Sequence, residues 1–161
     1  MHGAHYRLDG AHPGPRPSRK IGVWIGAYGP RMLALTGRLA DGWVSSAAFL
    51  LPDKLGDAQR RLDDAAAAEG RSPDAVRRIY DIGGEITDGA DRGFLQGPVT
   101  RWVDELSSLV LEAGIDTFVL WAGMPRRRQM EIFAGEVMPA VRAAVEAARL
   151  DPEVTGHDST G

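Results

Sequence analysis

Short apolar runs alternate with amphipathic stretches of helical period along almost the whole chain, and this alternation constrains the fold more than any other feature. Ile21–Ile25 is a β-branched run bounded by turn residues and reads as a buried strand. Pro30 suits the first turn of a helix, on which Met32, Leu33, Leu35, Leu39 and Ala40 form an apolar stripe. Asp41-Gly42 ends it, and Trp43–Ser46 reads as a second strand. A helix over Asp53–Glu69 follows, with Gly70 as its C-cap, then the N-cap chemistry of Ser72-Pro73-Asp74. Arg78–Ile86 reads as a third strand, broken at Gly83-Gly84. Pro98 opens a helix carrying Trp102, Val103, Leu106, Leu109, Val110 and Ala113 at helical spacing, and Gly114 closes it. Ile115–Trp121 is a fourth strand, and a last helical region spans 126–149, kinked or divided at Pro139.

Four buried strands separated by helices imply an α/β fold with a parallel sheet. Two architectures satisfy that pattern, an open doubly wound sheet and part of a (β/α)8 barrel, and periodicity does not choose between them. Residues 1–19, with Pro13, Pro15 and Pro17 alternating, are expected to be an extended lead-in to a domain over 20–149. The polar residues 150–161 have no apolar pattern and are expected to be a disordered tail.

Composition narrows the function. The 161 residues carry a formal net charge of -3, which gives no broad attraction to nucleic acid or anionic membrane. There is no cysteine, so disulfides, thiolate metal sites and a cysteine nucleophile are excluded. No apolar run approaches the roughly 20 residues that cross a bilayer, and residues 1–20 lack a signal-peptide core. A cytoplasmic protein is expected. His2, His5 and His12 are loosely spaced with no partnering carboxylate pair, so no metal site is expected.

The turn "IGAYGPRM" carries the most chemistry. A strand ends there, small residues allow close approach to the backbone, and a helix N-terminus follows, so free amides and a positive dipole end converge. A phosphate or other anionic group suits that spot, although glycines also make plain strand-to-helix turns. Neither a Walker loop nor a complete G-x-G-x-x-G is present. In a parallel sheet the strand C-termini share one end, so Ser45 and Ser46 are expected beside Tyr28 and Gly29. Gly83, Gly84 and Trp121 would share that rim, where Trp121 lines a ring pocket or caps the core. Arg126–Arg128 follow the fourth strand and read as a solvated run. No Ser-His-Asp set or paired catalytic carboxylates stand out, so no catalytic residue is assigned.

The segment "IGVWIGAYGPRMLALTGRLADGWVSS" closely resembles the strand–turn–helix–strand signature of bacterial luciferase-like flavin and deazaflavin oxidoreductases. "EGRSPDAVRRIYDIGG", "GPVTRWVDELSSLVLEAGIDTFVLW" and "FAGEVMPAVRAAV" follow in the family's order, so the resemblance covers about residues 5–149. It implies a (β/α)8 barrel of which these segments are the C-terminal half, about four βα units with parallel strands. A complete barrel needs about 250 residues, so the chain is expected to be an incomplete portion of such an enzyme. The resemblance implies cofactor contacts at Ala27, Tyr28, Gly29, Ser45 and Ser46, and more weakly at Trp121. Tyr28 stands where many members have a second glycine. The implied cofactor is coenzyme F-420 (a deazaflavin) or FMN, and the implied activity is hydride transfer or monooxygenation on a small organic substrate. A non-catalytic half-barrel interaction module or decayed fragment is the alternative, and an unrelated open-sheet nucleotide-binding domain a third. A half-barrel has open edges and an exposed apolar face, so self-association or pairing with a missing half is expected.

Overall fold

The computed structural model describes residues 4–5, 10, 14–89 and 92–150. Most of the expected lead-in and the tail over 151–161 lie outside the described residues. The elements run β1 (Trp24–Gly26), α1 (Pro30–Leu39), β2 (Gly42–Ser46), α2 (Pro52–Ala68), a 3-10 turn (Pro73–Ala75) and β3 (Arg77–Ile86). β4 (Gln96–Gly97), α3 (Val99–Leu111), β5 (Thr117–Ala122), α4 (Arg126–Ile132), a π turn (Phe133–Val137) and α5 (Met138–Leu150) follow.

Every strand pairing within the sheet is parallel. β1 pairs β2, β2 pairs β3 and β3 pairs β5, while the two-residue β4 sits against the end of β3. Each βα connection thus carries the chain one strand further in the same direction. A doubly wound sheet reverses its order at a switch point; this one does not, and its winding is that of a barrel wall. Trp43, Tyr80 and Ile82 project from the sheet into one core with Leu33 of α1, Leu55 and Leu62 of α2, Trp102 and Leu106 of α3 and Val141 of α5. Strand positions of opposite parity face away from the helices, and there Trp24, Val119 and Trp121 are exposed.

Several sequence expectations shift. The α1 stripe is rotated: Leu33, Thr36 and Gly37 are buried, Leu35 is half-buried, and Met32 and Leu39 are exposed. The Thr36 hydroxyl satisfies itself on the Met32 carbonyl at 2.7 Å, and Gly37 lets α2 come against the helix backbone. β3 runs unbroken through Gly83-Gly84, because the absent Cβ at Gly84 makes room for the Leu95 carbonyl and the Trp102 ring. The last helical region is divided beside Pro139, as expected, rather than kinked: Pro139 occupies the second position of α5, and the wide π turn just before it absorbs the missing amide donor.

Candidate functional site at the strand C-termini

β1 ends at Gly26, and Ala27 is buried with its carbonyl accepting the indole N–H of Trp43 at 2.8 Å. That bond fixes the turn to the neighbouring strand. Gly29 then caps α1 with extended backbone and no side-chain hydrogen bond, and Pro30 takes the first helical position. The Gly29 carbonyl accepts from Leu33, leaving the Arg31 and Met32 amides without partners inside the helix. A Cβ at Gly29 would meet nothing within 4 Å, so the approach to these amides is open. The first turn has no acidic residue and carries Arg31, which adds to the positive dipole end.

Tyr28 leans over this opening. Its ring meets Phe49 edge-on, with centroids 5.6 Å apart at 61°. Burial and the Asp81 carboxylate raise the phenol's pKa, partly opposed by a hydrogen bond from the Ser46 backbone. The phenol therefore stays protonated at neutral pH. Ser46 pairs with Asp81 across β2 and β3, and its hydroxyl accepts the Ala48 amide at 3.3 Å. Tyr28, Ser46, Phe49, Asp81, Phe94 and Trp121 line one cavity of about 700 Å³, to which Arg92 also contributes. That volume is within the range of small-ligand and cofactor sites.

The structure thus brings Tyr28, Ser46 and Trp121 into one cavity, with Gly29 beside it at the mouth of α1. Ser45 is turned the other way. It has the parity of Trp43, is fully buried, and directs its hydroxyl to the Ile79 carbonyl at 3.5 Å. It offers the rim no hydroxyl, and Ala27 offers no free carbonyl. Phe49, Asp81, Arg92 and Phe94 were not singled out from sequence. Strand alternation contained the signal for Asp81, an acid between the core residues Tyr80 and Ile82, whereas the loop residues gave none.

Among the described residues no three histidine or carboxylate side chains come together as a metal site, and His2, His12 and His157 lie outside them. No helix among the described residues is long and apolar enough to cross a membrane. At the opposite end of the strands, Arg78 is nearly buried against Asp63 beside Asp74 and Asp116. Burial lowers its pKa and those carboxylates oppose the shift, an arrangement that ties α2 to the sheet.

A family model described as luciferase-like monooxygenase matches residues 1–84. An F420-dependent glucose-6-phosphate dehydrogenase of Microbacterium testaceum (strain StLB037) is 32% identical over 83 residues, 50% of this chain and 24% of that enzyme. A phthiodiolone/phenolphthiodiolone dimycocerosates ketoreductase of Mycobacterium kansasii is 39% identical over 87 residues, 54% of this chain and 23% of that protein. Among solved structures, an F420-dependent secondary alcohol dehydrogenase superposes with a TM-score of 0.68 at 18% identity, over 88% of this chain and 55% of that one. A long-chain alkane monooxygenase superposes at 0.64 and 16% identity, over 89% and 46%. The chain therefore spans about half the length of these structures, and the likeness over α3, β5 and α5 is one of fold.

Proposed function

The chain belongs to the luciferase-like monooxygenase family, and from that premise we propose that its rim cavity is one wall of a flavin-type cofactor site, for coenzyme F-420 or FMN. The residues present fit such a group. Its phosphate and ribityl part would lie against the Arg31 and Met32 amides at the open N-terminus of α1 and against the Ser46 hydroxyl. Its ring would lie toward Tyr28, Phe49 and Trp121, which supply apolar faces and one protonated phenol. When bound, the cofactor supplies hydride transfer or oxygen chemistry. The chain's part is to position it, to exclude water with the aromatic wall, and to hold a proton at the Tyr28 hydroxyl. The whole protein would then be an oxidoreductase acting on a small organic substrate; its relatives include an F420-dependent glucose-6-phosphate dehydrogenase and a ketoreductase.

The observation that carries this reading is a serine hydroxyl and an aromatic wall on one cavity, with Tyr28 of that wall one residue before the uncapped N-terminus of α1. Fluorescence titration of the purified protein with F-420 and with FMN tests it. Micromolar binding that weakens about tenfold in Ser46→Ala, equal to about 1.4 kcal/mol, and stays near wild type in Ser45→Ala is expected. A folded protein that binds neither cofactor overturns it. The exposed sheet face favours a second reading, a non-catalytic half-barrel that serves as an interaction module. Absence of cofactor binding together with a stable complex would select that reading.

A further inference from the structure

We propose that the helix-free face and the two free sheet edges dock a second copy of this chain, so that two four-stranded walls close into one eight-stranded ring. Among the described residues β1 and β5 are the edge strands of the four-stranded wall. Asp41 donates its amide to the Val23 carbonyl, so Ile25 also turns toward β2, while Trp24 and Gly26 turn their backbone groups outward. At the other edge Asp116 donates to the Arg78 carbonyl, so Thr117, Val119 and Trp121 turn theirs outward. Among the described residues both edges present rows of backbone groups with no strand beside them, which a parallel strand satisfies.

Apolar side chains are exposed beside those rows. Trp24 is 52% exposed and Trp121 69%, on the face away from the helices. On the helix side of the β1 edge, Leu39 of α1 is 68% exposed. Beside the β5 edge, an open groove of about 790 Å³ runs between α3 and α5 along Phe118, Val141 and Val145. An outer helix arriving with the next strand would fill that groove and cover Leu39 at the other seam.

The occupant is a second copy because symmetry satisfies both seams at once. A two-fold axis along the strands keeps all strands parallel and places β5 of each copy beside β1 of the other, which closes without leaving an edge. Leaving aside the two-residue β4, four strands from each copy make the eight of a closed wall.

Size-exclusion chromatography with light scattering on the 161-residue chain tests the pairing. A species near twice the 17.3 kDa chain mass is expected at micromolar concentration. Val119→Pro removes an outward amide and leaves the β3 ladder intact, because the residue's donor faces the free edge. It is expected to halve the measured mass while far-UV circular dichroism is unchanged. Leu39→Arg tests the seam independently, away from the sheet, and should also yield monomer should Val119→Pro fail to fold. A wild-type monomer, a dimer that survives in both variants, or a monomer captured by a separately made half-barrel of different sequence overturns the proposal. A monomer that still binds flavin sinks this pairing and leaves the cofactor reading standing; a dimer that binds none does the reverse.

Discussion

Gly37 of α1 lies so close to Leu62 of α2 that a Cβ at position 37 would stand 2.1 Å from the Leu62 carbonyl oxygen. The obstacle is helix backbone, which cannot rotate away. Gly37→Ala must therefore separate the two helices, and overpacking of this kind costs about 2–3 kcal/mol. It exceeds the usual gain of replacing a mid-helix glycine by alanine, about 1 kcal/mol. The net loss of about 1–2 kcal/mol lowers the thermal midpoint by about 2–8 °C for a domain of this size. Calorimetry of the variant checks it, and an unchanged or raised midpoint would show that the helices do not meet at that glycine.

The same glycine shows what sequence could and could not convey. Helical period predicted an α1 stripe of Met32, Leu33, Leu35, Leu39 and Ala40. Leu33 and Ala40 are buried, Met32 and Leu39 are exposed, and Thr36 and Gly37 complete the buried face instead. A threonine that bonds its own helix and a glycine that admits a neighbour's backbone are both invisible to a hydrophobicity pattern. Strand and helix order were legible, since alternation of period is a local property. Periodicity did not choose the barrel winding, because that depends on which strands become neighbours; the resemblance of the segment through Gly29-Pro30 and Ala40-Asp41-Gly42-Trp43 did. At the candidate site, the nearness of Tyr28, Ser46 and Trp121 was legible from their places at strand ends, and they share one cavity. Ser45 differs from Ser46 only in parity, and one residue of strand phase decides which hydroxyl reaches the cavity.

Trp43 links the core to the Ala27–Gly29 turn through its indole N–H on the Ala27 carbonyl at 2.8 Å, with both residues buried. Trp43→Phe keeps most of the ring and strands that carbonyl without a donor. The loss is about 1–2 kcal/mol of stability. Because Ala27 precedes Tyr28 and Gly29, the turn should also loosen. Urea denaturation is expected to show the lower midpoint, and titration with FMN or F-420 a several-fold weaker affinity. Reduced stability with wild-type affinity would show that the bond holds the core but does not place the turn.

Tyr80 couples stability to alkaline pH. Its hydroxyl donates to the Leu50 carbonyl at 2.6 Å, and burial pushes its pKa up, with further contributions from Tyr28 and Asp53. The folded value stands above the unfolded one of about 10. The unfolded chain therefore releases this proton first as pH rises. Stability linked to Tyr80 is complete below about pH 10 and is lost as the pH climbs toward the folded value. Tyr80→Phe removes that linkage together with the hydrogen bond. The variant should be less stable at neutral pH by about 1 kcal/mol, yet decline less steeply than wild type above about pH 10. Thermal midpoints across neutral to alkaline pH measure both effects. Parallel curves for the two proteins would show that the Tyr80 phenol ionises alike in the folded and unfolded chain.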